Sequence, residues 1–144
     1  MEKSAVRRRA YQIIIAIAAL GFLVAAYATV LHFQTGPSTL CNLGEGFDCD
    51  KVNRGVYSEM WGVPVSVLGM AGYVIIALLA RELLASPRRR LKILLAASIA
   101  FALGFSAHLA WISSALLATW CIVCIASYTC TAALAAVFAW GEWE

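Results

Sequence analysis

The chain has 144 residues, of which 62% are hydrophobic and 13% are charged, and its formal net charge is +3. A soluble globular domain has about 25% charged residues, so this chain has too few charges to cover its core with a hydrated surface. The composition excludes a cytosolic globular enzyme, a disordered segment and a nucleic-acid-binding protein. The length corresponds to a single domain, residues 1–144, and we predict an integral membrane protein.

Four apolar segments are long enough to cross a bilayer, because a hydrocarbon core of about 30 Å needs about 20 residues of helix. The first two predicted spans cover residues 11–33 and 63–84. Residues 93–141 contain no charged residue, and we divide this stretch into spans at 92–116 and 120–140 with a corner at 117–120. The predicted fold is therefore all-α, a bundle of four transmembrane helices.

Most basic residues lie on one side of the predicted membrane. They precede the first span or lie where the second span ends and the third begins: Lys3, Arg7, Arg8, Arg9, Arg81, Arg88, Arg89, Arg90 and Lys92. The positive-inside rule places this side in the cytoplasm, together with both termini. In an alternative interpretation the first span is a secretory signal peptide, which we disfavour because its apolar run is too long.

The predicted outer side has one long segment, the loop at residues 34–62, and one short corner between the third and fourth spans. Within the loop, residues 52–61 are predicted to form a short amphipathic helix at the membrane surface, with Val56, Tyr57, Met60 and Trp61 toward the lipid or the bundle. A loop this long in a compact chain is usually functional.

Four of the five cysteines are predicted to meet on this outer side. Cys41 and Cys49 lie in the loop, and Cys121 and Cys124 form a C-x-x-C at the outer end of the fourth span. The oxidising side of a membrane is where disulfides persist. Residues i and i+3 share a helix face, and the partial positive charge of a helix N-terminus stabilises a thiolate there. Thiol pairs arranged in this way can relay electrons by disulfide exchange.

Other interpretations of these thiols stay open. Cys41 and Cys49 can form a static disulfide that only holds the loop, and the C-x-x-C thiols can be ordinary small buried residues. All four can also bind one zinc ion, or pass a metal such as mercury or copper along the chain, although thiols in an oxidising compartment tend to pair with each other first. Cys130, deeper in the fourth span, is predicted to be a packing residue.

The final electron acceptor of such a relay is predicted to be a lipid-soluble quinone. The sequence has no G-x-G-x-x-G motif, no P-loop and no His-rich cluster, and we predict no metal site. His108 in the third span is a candidate proton donor, because an ionisable residue inside a membrane is a functional candidate. The alternative is a histidine that packs between helices.

Several motifs lie along the chain: the loop pair Cys41-x7-Cys49, the segment W-C-I-V-C-I-A-S-Y at 120–128, and C-D-K-V at 49–52 followed by Tyr57, Gly62-Val63-Pro64 and Gly69. Together these motifs resemble the vitamin K epoxide reductase family and its bacterial homologues. The resemblance covers nearly the whole chain. In oxidases of the DsbB type the C-x-x-C precedes the wider pair, and here the order is reversed.

The resemblance implies a four-helix bundle around a quinone of the menaquinone, ubiquinone or vitamin K type. It implies that Cys41 exchanges with a thioredoxin-fold, DsbA-like protein, that Cys49 passes the exchange to Cys121, and that Cys124 faces the quinone. Tyr57 and Tyr128 are expected to line the quinone pocket. The expected location is a bacterial inner membrane, with the active site on the periplasmic side.

The function implied is disulfide formation in secreted proteins, and the alternative is reduction of a vitamin K quinone or epoxide. Two departures from the family pattern bear on this expectation. Gly55 replaces a serine that family members usually carry six residues after the second loop cysteine, which puts the polar contacts of the pocket in doubt. Many bacterial members also carry a fused thioredoxin-like domain, whereas this chain stops at Glu144, so its redox partner is expected to be a separate protein.

Overall fold

A computed structural model of the protein describes residues 2–33, 59–116 and 122–143. These ranges contain the helices α1 (Glu2–Phe33), α2 (Val65–Ala85), α3 (Arg89–Trp111) and α4 (Ile122–Trp143). Two short strands, β1 (Glu59–Met60) and β2 (Val63–Pro64), precede α2. All four helices are long and apolar enough to cross a membrane, which confirms the nearly all-helical fold predicted from the sequence.

Prolines determine both ends of α2. Pro64 lies at its N-cap with a φ of −58°, which is already close to the helical value. Pro87 follows its last turn, and the residue before a proline is sterically driven out of the helical conformation, so Ser86 is extended with a φ of −148°. Only residues 86–88 separate α2 from α3. Such a short connection makes the two helices antiparallel neighbours.

The four helices form one bundle with a shared core. α1 packs mainly against α2 and α4, and α3 contacts the same two helices from the other side. The largest fully buried side chains come one from each helix: Ile14, Ile76, Leu95 and Leu134. Large apolar side chains such as Leu23 and Phe101 point outward, as expected where lipid and not water surrounds the protein.

A β-hairpin with a two-residue turn is found where the sequence predicted the end of an amphipathic helix. Residues 52–58 lie outside the described ranges, but β1 pairs with β2 in antiparallel register, Met60 opposite Val63. The turn residues Trp61 and Gly62 have φ values of 53° and 81°, the mirror-image turn that suits a two-residue hairpin. The predicted helix is therefore wrong at residues 59–61, since glycine favours this left-handed turn. Trp61 is 97% exposed and does not pack on the described part of the bundle.

At its C-terminal end α3 continues into a π-helical turn, Ile112–Leu116. The corner predicted at 117–120 lies outside the described residues. At the opposite end α1 begins at Glu2, so the basic residues Lys3 and Arg7 to Arg9 belong to the helix itself.

Candidate functional site

Two of the six site residues predicted from the sequence lie within the described ranges. Cys124 and Tyr128 lie on α4, whereas Cys41, Cys49, Tyr57 and Cys121 lie outside the described ranges. The pairing of the thiols therefore stays a prediction. Gly55, which the resemblance marks as a departure from the expected pocket, also lies outside these ranges.

Cys124 lies in the first described turn of α4, and Tyr128 lies one turn further along. Both side chains are half-buried. Thr131 is seven residues beyond Cys124, so the two side chains leave the helix axis in directions that differ by only about 20°. Because Thr131 is 2% exposed, the side of α4 that carries Cys124 is the side that faces the interior of the bundle.

One to two turns beyond Cys124 along α4, the bundle contains a group of four hydroxyl side chains, which we name the hydroxyl cluster: Tyr73, Ser106, Ser127 and Thr131. The Tyr73 hydroxyl lies 2.8 Å from Ser127 Oγ and donates to the Ser127 carbonyl oxygen at 3.0 Å. It lies 3.3 Å from Thr131 Oγ1, to which Ser106 Oγ donates at 3.5 Å. The cluster thus joins α2, α3 and α4.

The hydroxyl cluster was not predicted from the sequence. A signal for it exists, since Ser127 and Thr131 follow Cys124 at i+3 and i+7 in a helix that is otherwise mostly apolar. Tyr73 and Ser106 carry no such signal, because their spacing along the chain does not relate them to α4. Only the packing of the helices brings the four hydroxyls together.

A second polar contact joins α1 to α2 near the same end of the bundle. Thr29 Oγ1 lies 2.9 Å from Ser66 Oγ and 3.4 Å from the sulfur of Met70. It also donates to the carbonyl oxygen of Ala25 at 2.9 Å. Hydroxyls that bond within and between helices in this way are well suited to a membrane, where an unsatisfied polar group is costly.

His108 and Cys130 do not belong to the described part of the site. His108 is exposed on α3, where its ring stacks on Trp111 with the ring centres 6.4 Å apart. This position argues against a proton-donor role inside the bundle. Cys130 is 8% exposed and lies in the hydrophobic core, which confirms the prediction of a packing residue.

Charged groups meet at the opposite end of the bundle. Glu142 forms ion pairs with Lys92 and, at 3.7 Å, with Arg7, and it accepts a hydrogen bond from the Tyr11 hydroxyl at 3.3 Å. These contacts tie α1, α3 and α4 together. Glu142 is 18 residues from Cys124, about 27 Å along the helix, so this cluster is remote from the candidate site.

Residues 12–139 match the sequence profile of the vitamin K epoxide reductase family, a match that includes all of α2 and α3 and most of α1 and α4. The chain belongs to the vitamin K epoxide reductase family. Membership confirms the resemblance found in the motifs, and with the four apolar helices it makes the protein an integral membrane oxidoreductase. Among curated proteins, none matches the chain.

Proteins of the vitamin K epoxide reductase family are quinone-linked. A quinone needs apolar surroundings with a few hydrogen-bond donors for its carbonyl oxygens. The bundle around α4 has this character, since this helix carries the half-buried phenol of Tyr128 and contributes Cys130 and Leu134 to the apolar core. Among the described residues, no group of His, Cys, Asp and Glu could hold a metal ion. The residues present therefore fit a quinone.

Proposed function

We propose that this protein is a quinone-dependent thiol–disulfide oxidoreductase that supports disulfide formation in secreted proteins. One observation carries the proposal. In a chain of this family, Cys124 and Tyr128 lie one turn apart on the interior side of α4, directly above a hydroxyl cluster in an apolar bundle. A thiol in this position is within reach of a ligand held inside the bundle and close to the end of the helix.

The proposed relay consists of two exchanges between thiol pairs. A dithiol of a thioredoxin-fold, DsbA-like protein reduces the Cys41–Cys49 disulfide and becomes a disulfide itself. The resulting Cys49 thiolate attacks the Cys121–Cys124 disulfide at Cys121, the Cys41–Cys49 disulfide re-forms, and two electrons arrive at the inner pair as two thiols. Each exchange breaks one S–S bond and makes one, so the net result is one new disulfide in the partner.

A bound quinone of the menaquinone, ubiquinone or vitamin K type supplies the final acceptor for two electrons and two protons. Re-forming the Cys121–Cys124 disulfide releases these electrons and protons. Cys124 faces the quinone in this proposal, and Tyr57 and Tyr128 line its pocket. The Tyr128 phenol is a hydrogen-bond donor one turn below Cys124, where it can bind a carbonyl oxygen and so orient the ring.

The family match also favours a second candidate, reduction of a vitamin K quinone or epoxide. Both reactions use the same thiols and differ only in the oxidant. They are distinguished by supplying the protein with a reduced partner and either a quinone or a vitamin K epoxide. A metal carrier would use neither oxidant and would require its thiols to stay reduced.

The loop cysteines provide the decisive test of the proposal. In membranes that contain added quinone, Cys41→Ala and Cys49→Ala should each lower the rate at which a reduced thioredoxin-fold protein is oxidised by roughly 100-fold or more, because an essential nucleophile is lost. Cys130→Ala is the matched control and should keep the normal rate. A normal rate in both loop variants would show that the loop pair is a static disulfide.

A further inference from the structure

Tyr73 connects all four helices at the centre of the bundle. It belongs to α2 and is 5% exposed. Its ring lies against the backbone of α1 at Gly21, and its hydroxyl reaches Ser127 and Thr131 on α4. Through Thr131 the contact extends to Ser106 on α3. A single phenol in this position can control how the helices are oriented about their own axes.

The hydrogen bonds of the hydroxyl cluster are mutually consistent. The Tyr73 hydroxyl donates its one proton to the Ser127 carbonyl oxygen, so Ser127 Oγ is assigned as the donor to the Tyr73 oxygen. The same carbonyl oxygen accepts from Thr131 Oγ1 at 3.0 Å, and Thr131 Oγ1 accepts from Ser106. Every hydroxyl then donates once, so the cluster is satisfied without water. Satisfied networks of this kind make the surrounding packing rigid.

Gly21 determines where the Tyr73 ring lies. A Cβ atom at this position would come within 2.5 Å of the ring carbon Cζ and 2.8 Å of Cδ1, well inside van der Waals contact. The absence of a side chain therefore lets the ring lie directly on α1. One side of the ring therefore packs against the backbone of α1, and the hydroxyl is hydrogen-bonded to Ser127 of α4.

Ser127 transmits this constraint to the candidate site. It is three residues from Cys124, about 4.5 Å along the axis, and adjacent to Tyr128. One residue corresponds to 100° of rotation about a helix axis, so a hydrogen bond that fixes Ser127 also fixes the direction of both neighbours. Tyr73 bonds to the backbone as well as to the side chain of Ser127, which restrains the helix itself.

We infer that Tyr73 is a positioning residue for the thiol–quinone reaction, acting through Ser127 on the turns of α4 that carry Cys124 and Tyr128. This inference rests on the proposed function. It assigns to Tyr73 no contact with the reacting sulfur. The Tyr73 hydroxyl therefore affects the affinity of the site on α4 for the quinone. Thiol exchange with the protein partner at the loop does not depend on this hydroxyl.

The test compares Tyr73→Phe with Tyr11→Phe. Both variants keep a buried ring and lose a phenol hydroxyl, but Tyr11 bonds to Glu142 at the other end of the bundle. With a reduced thioredoxin-fold protein and a soluble menaquinone analogue, Tyr73→Phe should raise the quinone KM by about 3- to 10-fold, the worth of a hydrogen bond inside a membrane protein. Its KM for the protein partner should not change. Tyr11→Phe should change neither KM.

A role in folding alone gives a different result, since partial unfolding lowers the apparent kcat and leaves both KM values unchanged. Ser127→Ala provides a second variant, because alanine is compatible with the helix and removes only the hydroxyl that faces Tyr73. The effects of Tyr73→Phe and Ser127→Ala on the quinone KM should be non-additive, whereas those of Tyr11→Phe and Ser127→Ala should add.

The outcomes separate the inference from the function on which it rests. If the unaltered protein oxidises its partner with quinone but Tyr73→Phe behaves like Tyr11→Phe, the positioning role is refuted and the proposed function stands. Additive effects of Tyr73→Phe and Ser127→Ala would also refute it. If the unaltered protein uses no quinone at all, the proposed function fails and the inference fails with it.

Discussion

Cys124 shares its side of α4 with Ser127, Tyr128 and Thr131, so a thiol, a phenol and two small hydroxyls follow one another down the interior of the bundle. This succession orders the candidate site by depth. The thiol lies nearest the helix end, where the helix dipole favours a thiolate. The hydroxyls lie deeper, where they hold the helix in place.

This order predicts different behaviour for the two C-x-x-C positions. In Cys121→Ala the C-x-x-C disulfide cannot form, and Cys124 should ionise at the helix end and form a coloured complex with added quinone. Cys124→Ala also abolishes the disulfide but should give no colour, because Cys121 is expected nearer the water. Visible absorbance of the two purified variants after addition of quinone is the measurement.

Acid provides the control for this experiment, since protonation of the thiolate should make the colour fade. Colour in Cys124→Ala alone would reverse the assignment and place Cys121 against the quinone. Colour in neither variant would place the quinone away from the C-x-x-C.

At the scale of the helices, glycines allow α1 to approach its two main neighbours closely. Gly21 of α1 receives the Tyr73 ring of α2. Gly141 of α4 faces Ala10 of α1, and a Cβ at Gly141 would lie 2.5 Å from the Ala10 Cβ. Small residues of this kind are the usual means by which membrane helices pack, because lipid provides no hydrophobic force between them.

The two glycines should respond differently to substitution by alanine. Gly21→Ala and Gly141→Ala should both lower the free energy of unfolding by about 1–3 kcal/mol, because each adds a methyl group to a filled contact. Only Gly21→Ala should also raise the quinone KM, since it displaces Tyr73 from Ser127. Unfolding in mixed detergent micelles and quinone kinetics on the same preparations measure the two effects.

Gly141→Ala is the matched control in this comparison because its contact lies at the Glu142 end of the bundle. An equal rise in the quinone KM in both variants would mean that any loosening of α1 disturbs the site. The specific role of the Tyr73 ring would then be contradicted.

At the scale of the whole molecule, the basic segments of the chain meet at one end. The contacts of Glu142 with Arg7 and Lys92 bring together the start of α1, the start of α3 and the end of α4. The candidate site lies at the other end, where α4 begins. An arrangement with the thiols outside and the basic residues inside is the one that the positive-inside rule favours.

We therefore expect reporter fusions to place the connection at residues 86–88 and the C-terminus in the cytoplasm. A fusion in the loop at residues 34–58 should report the periplasm. Replacing Arg88, Arg89 and Arg90 with Gln should weaken this orientation, because these residues hold much of the charge asymmetry. A periplasmic signal from the 86–88 connection would invert the topology and place the C-x-x-C in a reducing compartment, which contradicts the proposed function.

The sequence alone was sufficient for the membrane class, the four helices and the family. Each depends on local information, because a spanning helix needs only a continuous run of about 20 apolar residues, and the family motifs are short segments. The same local reasoning was wrong at residues 59–61, where apolar spacing indicated a helix. The left-handed turn at Gly62 and the pairing of β1 with β2 determine the conformation there.

The tertiary structure decided which residues act together. Tyr73 and Ser127 are 54 positions apart, and Tyr11 and Glu142 are 131 apart, so no periodicity along the chain relates them. It also decided that His108 faces outward, because a residue's presence in a span does not specify which side of the helix meets the bundle. In a membrane, apolar side chains cover both the lipid-facing and the interior sides of a helix. The distinction between them arises only when the helices pack and their few polar groups find partners.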